Sequence, residues 1–260
     1  MIQPTPYPDI NAVLQLLLSG AQEILGDRFV GMYLYGSLAS GDFDLQRSDI
    51  DFLVVTDDNL SSEVIHALEE LHIRLWASGL KWTAKLEGAY VPRRTLRRHD
   101  PDAALCPTIN EGRFYLDRLG SDWIIQRHIL SKHDVTMAGP PAQTLIDPVT
   151  PDEVRSAVSG VLREWWQPTL ENPTFIRNRE YEAYATLTMC RALYALEYGE
   201  IVSKPIAARW AVKTTGGRWA MLIDRALDWP HEPQPESLSE TLEFIRYTVE
   251  HGRGGSSDGI

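Results

Sequence analysis

The chain has 260 residues, of which 43% are hydrophobic and 23% charged, and it carries a formal net charge of −11. That balance describes a soluble globular protein of one large domain or two modest ones, and no apolar run is long enough to span a bilayer. The acidity argues against general nucleic-acid binding, which rests on cations meeting phosphates, and suits a small cationic substrate concentrated by an acidic cleft.

The opening segment, MIQPTPYPDI, has no basic region ahead of its apolar residues, so no secretory signal is expected and the chain reads as cytoplasmic. Two cysteines, Cys106 and Cys190, make no disulfide framework and read as buried, reduced thiols. Residues 9–25 carry apolar residues at helical spacing, with Asp9 as the expected N-cap and Gly26 as the stop. Residues 29–35, FVGMYLY, form an apolar and aromatic run that predicts a buried strand. Gly36-Ser37 breaks it, and glycine there allows both a sharp turn and a close approach of ligand to backbone. A helical turn through Leu38-Ala39-Ser40 can then aim free N–H groups at a phosphate.

A second strand is predicted from Ile50 to Val55, entered through Ser48-Asp49-Ile50-Asp51. Residues i and i+2 of a strand share a face, so Asp49 and Asp51 are expected to point one way while Ile50 and Phe52 point into a core. Two neighbouring carboxylates repel each other unless something compensates. Magnesium is the natural compensation, since it takes one or two carboxylates and completes its shell with water and substrate phosphates. The stretch therefore offers a phosphate cradle at Gly36, Ser37 and Ser48 and a metal clamp at Asp49 and Asp51.

Turn and cap residues at 57–62 lead into a helix reaching residue 78, on which His66 and His72 read as surface residues. Residues 83–91 predict a third strand closed by Pro92, with Glu87 inside it. Arg93, Arg94, Arg97 and Arg98 follow as a solvated basic edge, and HDPDAALCPTINEG reads as a loop. Residues 121–147 suggest a strand or helix followed by a Gly-Pro-Pro turn, and the segment from Gly139 to Pro151 is the expected domain boundary. Thr150-Pro151-Asp152-Glu153 is a strong helix start. Helices are predicted at 152–166, 179–198, 204–214, 216–227 and 237–251, before a flexible tail over 252–260.

Gly-Ser, a gap of roughly ten residues, and then Asp-x-Asp in a strand resembles the signature of the polymerase-β-like nucleotidyltransferase superfamily. The resemblance implies transfer of a nucleoside monophosphate from a nucleoside triphosphate to a hydroxyl. It also implies that the third strand runs beside the Asp-x-Asp strand, which makes Glu87 the candidate for a third metal ligand or for the general base. The helical half sharpens the likeness. TLTMCRALYALEYGEIVSKPIAARWA (186–211) and AGPPAQTLIDPV (138–149) resemble the C-terminal domain and the joining segment of aminoglycoside adenylyltransferases that act on streptomycin and spectinomycin. That family implies that Arg191 and Lys204 reach the nucleotide phosphates and that an aromatic residue, Trp229 here, stacks on adenine.

The expected architecture is thus α+β: a mixed-sheet nucleotidyltransferase domain at 1–148 and an all-α helical-bundle domain at 149–251, with the active site in the cleft that joins them. The expected chemistry is AMP transfer from ATP with Mg2+, with Asp49, Asp51 and Glu87 as catalytic and metal-holding residues, in a monomer acting on a small-molecule acceptor without membrane or nucleic acid. The stretches that contact streptomycin in that family read differently here, INEGRFYLDR and NPTFIRNREYEAYA, with Glu180 and Glu182 as the available acids. That departure favours spectinomycin over streptomycin. The alternatives are adenylylation of another small molecule or of a protein, and a non-catalytic nucleotide-sensing or antitoxin-like module.

Overall fold

Strand parity sorts the apolar residues of the first half into two cores. The computed structural model describes residues 3–100, 102–133, 135–231 and 237–254. It divides into two compact units, Met1–Pro148 and Val149–Ile260. The first contains a six-stranded sheet built from β1 (Phe29–Leu34), β2 (Ile50–Thr56), β3 (Leu86–Pro92), β4 (Cys106–Asn110), β5 (Arg113–Asp117) and β6 (Val135–Ala138). Their order is β5-β4-β3-β2-β1-β6. The β2–β3 pair is parallel and the other pairs are antiparallel.

Met32, Leu34, Ile50, Phe52, Val54 and Tyr90 lie in one core, packed with residues of helices α1 (Pro8–Leu25) and, beyond the Gly36–Ser40 turn (α2), α3 (Ser62–Ala77). Tyr33, Tyr35, Leu53, Val55, Ala89 and Val91 lie in the other, with Leu96 of the short helix α4 (Arg93–Arg97) and Trp123 and Leu130 of α5 (Asp122–Lys132). The period of two in β1, β2 and β3 therefore decides which helix each side chain meets.

Several local expectations change in the folded chain. The first helix is capped at Tyr7 with Pro8 at its first position, so Asp9 sits in the first turn, where its charge complements the helix dipole. The stretch read as a loop at 99–112 contains β4, which forms a hairpin with β5 through Glu111 and Gly112. The third strand starts at Leu86, because residues Thr83–Lys85 form a 3-10 turn. The basic edge is solvated as expected, and its side chains are also ion-paired: Arg93 with Asp57, Arg94 with Asp58, and Arg97 and Arg98 with Asp147. Both cysteines are buried and free, and burial pushes the Cys106 thiol up to about 11 and the Cys190 thiol up to about 12.

His72 is the clearest correction. His66 is exposed, but His72 faces inward from α3 and is fully buried. Its Nε2 is hydrogen-bonded to the Tyr90 hydroxyl at 3.0 Å, and its ring stacks on Phe52 at 6.0 Å. Among the described residues its Nδ1 has no hydrogen-bond partner, and neither does the buried Trp76 Nε1 nearby. Burial disfavours the imidazolium and pulls the His72 pKa down to about 3.

The second unit is helical: α6 (Pro151–Val161), a π-helical turn at Leu162–Trp166, α7 (Gln167–Glu171), α8 (Arg179–Tyr198), α9 (Lys204–Thr214), α10 (Ala220–Asp228) and α11 (Leu238–Gly254). α6 starts with a capping box in which Thr150 Oγ1 accepts from Glu153 N–H and Glu153 Oε2 accepts from Thr150 N–H. Such a cap contributes about 1 kcal/mol. α8 is the central helix and contacts α6, α9, α10 and α11. α11 runs to Gly254, so residues 252–254 of the expected tail are helical, while 255–260 lie outside the described residues. Among the described residues no helix is long and apolar enough to cross a membrane.

The buried, neutral His72 makes acid stability testable. Between its folded pKa near 3 and the ordinary histidine value of about 6.5, the unfolded chain binds a proton that the native chain does not. Stability is therefore lost as pH falls below about 6.5, at up to about 1.4 kcal/mol per pH unit from this residue. We expect His72→Gln, which keeps a hydrogen-bonding group toward Tyr90 but cannot titrate, to flatten the decline of melting temperature between pH 6.5 and 4. Equal slopes in the two proteins contradict the assignment.

Candidate active site

The parallel register of β2 and β3 builds the centre of the site. It sets Ile50 opposite Leu86, Asp51 opposite Glu87 and Phe52 opposite Gly88. Asp51 and Glu87 share parity with Leu53, Val55, Ala89 and Val91, so both lie on the sheet face that α5 covers. This close pairing depends on Gly88, because a Cβ there would overlap the Phe52 carbonyl and meet the Phe52 ring at 2.7 Å.

β1 brings the glycine turn to the same place. Its antiparallel register with β2 puts Leu34 opposite Phe52, and Tyr35 N–H donates to the Asp51 carbonyl at 3.2 Å. Gly36 follows with φ 62°, a left-handed conformation, and opens α2. A Cβ on Gly36 would overlap the Asp51 carboxylate. Glycine is therefore required twice over, by its φ and by the approach of Asp51. Ser37 lies next in α2, its carbonyl accepting from Asp42 N–H at 3.1 Å.

Tyr35 reports the charge of the site. Its phenol is buried, and its pKa is driven well above the ordinary tyrosine value, first by burial and then by the negative charges of Asp51, Glu87 and Asp122. Asp122, the first residue of α5, thus joins the two strand carboxylates around one phenol. The residue retains solvent exposure, but burial of its carboxyl raises its pKa above the ordinary carboxylate value. Asp117 adds to that rise, whereas hydrogen bonds from backbone N–H groups and the charge of His99 oppose it. The motif reading missed Asp122, since an acid at a helix start looks like an ordinary first-turn residue. Only the parity of the sheet face connects it to Asp51. On the edge hairpin, the Tyr115 phenol is also raised, by burial, then Asp117, then Glu87.

Asp49 and Ser48 depart from the expected pattern. Asp49 precedes β2, and its Oδ1 pairs with Lys85 Nζ at 3.1 Å. The three carboxylates Asp49, Asp51 and Glu87 are therefore not drawn together as a preformed metal cage, and among the described residues no group of three or more His, Cys, Asp or Glu is so arranged. Ser48 closes its own loop: its N–H donates to the Asp44 carbonyl at 2.9 Å and its Oγ accepts from Asp44 N–H at 3.0 Å. The donor set still fits magnesium, a hard cation that uses one or two carboxylates and relies on substrate phosphates for the rest.

In the second unit, Arg191 is half-buried on α8 and Lys204 opens α9, with its Nζ 5.1 Å from the Tyr184 ring. Tyr184 and Arg191 are seven residues apart, about two turns, and share one side of α8. Glu182 lies nine residues from Arg191, about two and a half turns, on the opposite side. It is 1% exposed and accepts from Arg179 Nη1 at 2.7 Å and from the backbone N–H and Oγ of Ser237, each at 2.9 Å. Glu182 is thus an internal tether, not an acid presented to a substrate, while Glu180 is exposed. Trp229 is half-buried, its ring 6.0 Å from the Arg179 guanidinium.

Comparison with known proteins gives the families that the two units resemble. Residues 18–101 match the nucleotidyltransferase domain family, and residues 144–252 match the aminoglycoside adenylyltransferase C-terminal domain family. The chain is 24% identical over 252 residues to an aminoglycoside (3'') (9) adenylyltransferase of Shigella flexneri, covering 92% of this chain and 93% of that protein. It is 22% identical over 218 residues to a spectinomycin 9-adenylyltransferase of Staphylococcus aureus, covering 79% of each. The fold is shared with the spectinomycin adenyltransferase AAD(9) of Enterococcus, solved with ATP and spectinomycin, at a TM-score of 0.74 and 17% identity over 93% of this chain and 98% of that one. With a nucleotidyltransferase half around Gly36, Asp51 and Glu87 and an adenylyltransferase-type helical half, the chain is an aminoglycoside adenylyltransferase-like nucleotidyltransferase.

Proposed function

We propose that the enzyme transfers AMP from ATP to a hydroxyl of a small cationic acceptor, an aminocyclitol such as spectinomycin. The observation that carries this reading is the Asp51–Glu87 register beside the Gly36 turn, which sets carboxylates against a backbone that only glycine allows to come so close. Glu87 takes the proton of the acceptor hydroxyl. The oxygen then attacks the α-phosphorus of ATP, the bond from that phosphorus to the bridging oxygen breaks, and pyrophosphate leaves with the bonding electrons. Gly36 and Ser37 hold the triphosphate through the backbone, and Lys204 and Arg191 supply cationic contacts to it. Trp229 is the proposed adenine contact. Asp49 and Asp51 are the proposed holders of magnesium, which when bound offsets the charge of the phosphates.

The relatives' names support an aminocyclitol acceptor, and the net charge of −11 suits a cationic one. The proposed preference for spectinomycin rests on what α8 lacks. Glu182 is committed to Arg179 and Ser237, so of the two acids in that stretch only Glu180 is exposed. A bulky polycation that finds fewer partners is rejected strongly, because its polar groups are left unpaired. Tyr115, within the electrostatic reach of Glu87, is a proposed acceptor contact.

Pyrophosphate release measured with ATP, magnesium and an aminocyclitol panel tests the acceptor. Turnover is expected to be faster with spectinomycin than with streptomycin, and the reverse order overturns the specificity. Inactivity with both returns the acceptor to other small molecules or to a protein.

Glu87→Gln keeps the shape of the base but cannot accept a proton. It is expected to lose two or more orders of magnitude in kcat while ATP binding persists. Asp51→Asn is expected to abolish transfer while the melting temperature holds, and wild-type turnover in either variant removes that residue from the chemistry. Lys204→Ala is expected to weaken ATP affinity in calorimetry with magnesium present, and unchanged affinity rules out its phosphate contact.

A further inference from the structure

Lys85 sits two residues before the proposed base, and nothing in the proposed chemistry uses it. Its position is built into the fold. Extending the parallel register one step back from Ile50–Leu86 sets Asp49 across from Lys85. Lys85 ends the 3-10 turn at Thr83–Lys85, with its N–H donating to the Trp82 carbonyl at 3.1 Å. That turn is anchored by buried Trp82 and by Thr83, whose Oγ1 donates to the Leu80 carbonyl at 3.0 Å. On the other strand, the Asp44–Ser48 hydrogen bonds fix the loop up to the residue before Asp49. The two side chains meet at 3.1 Å, with exposures of 41% and 43%.

We propose that Lys85 is a resident counter-ion for Asp49, which holds that carboxylate until a divalent cation displaces it. The inference rests on the reading of Asp49 as a metal holder. Asp49 and Asp51 flank Ile50, and without a cation their charges oppose one another. A lysine ammonium is a compact charge on a flexible stem, so it can balance Asp49 in the nucleotide-free protein and then move aside. A half-exposed ion pair of this kind is weak. Displacing it therefore raises the metal concentration needed by only a small factor, about two- to five-fold. The factor is large enough to disfavour metal binding to the protein alone and small enough for the phosphates of a bound nucleotide to overcome.

The test titrates manganous ion into the full-length protein and reads the free ion by its paramagnetic signal, with and without a non-hydrolysable ATP analogue. Lys85→Met keeps the stem and removes the charge, and Lys85→Arg keeps the charge. The proposal expects Lys85→Met to bind manganese about two- to five-fold more tightly than wild type without nucleotide. Lys85→Arg should stay near wild type, and the gain should vanish when Asp49→Asn is added. Unchanged or weaker binding by folded Lys85→Met, alongside weakened binding by Asp49→Asn, overturns the counter-ion role and leaves the metal reading intact. Wild-type binding by Asp49→Asn alone overturns both.

Discussion

The first unit depends on one backbone pairing, the parallel ladder of β2 and β3. The ladder sets Asp51 beside Glu87, and its extension sets Asp49 beside Lys85. It tolerates no slip, because a shift of one residue would turn Asp51 and Glu87 to the face packed by α1 and α3 and the Phe52 ring to the face that α5 covers. Gly88 and Gly36 are the two places where this pairing leaves no room for a side chain. The glycines and carboxylates of the motif are therefore a single steric arrangement.

The motif stretch was legible because its signals are local. Alternation in β1 and β2, a glycine that breaks the run, and acids at a strand entrance can all be read within a few residues. The hairpin of β4 and β5 was not, because its surroundings are rich in turn residues and Pro107 falls inside β4. The β3–β4 register holds Ile109 and Thr108 against Gly88 and Ala89, past that proline, as expected for a residue that has no N–H to give. His72 was misread because a histidine on a helix with charged neighbours looks solvated. Which face of α3 is buried is decided by the sheet it packs on. Asp122 failed for a similar reason: its link to Asp51 and Glu87 runs through the sheet face and leaves no mark in nearby sequence.

The helical unit shows the opposite balance. Its helix limits at 179–198 and 204–214 follow from Asn178, whose Oδ1 caps Tyr181 N–H, from Gly199 as a left-handed C-cap, and from Pro205 in the first turn of α9. What composition hides is the division of labour around α8. Because this helix is surrounded, buried residues occur on most of its sides and no clean apolar stripe marks the core. From the sequence, Glu182 reads as an available acid and the resemblance assigns Arg191 to the phosphates, but nothing local shows which side of α8 each occupies. Helical geometry sends one into an internal network with Arg179 and Ser237 and the other to the opposite side.

β5 has a further consequence, which belongs to the protein's history as much as to its mechanics. It is the outermost strand, four of its five residues are exposed, and Tyr115 and Leu116 are among the exposed large apolar side chains. Substitutions at such positions usually change stability by no more than about 0.5 kcal/mol, whereas replacements at Gly36, Gly88 or Phe52 disturb the packed centre. Mutational tolerance and nearness to Glu87 therefore coincide on one short edge. Substitutions can accumulate on that edge one residue at a time while the inner strands keep their packing.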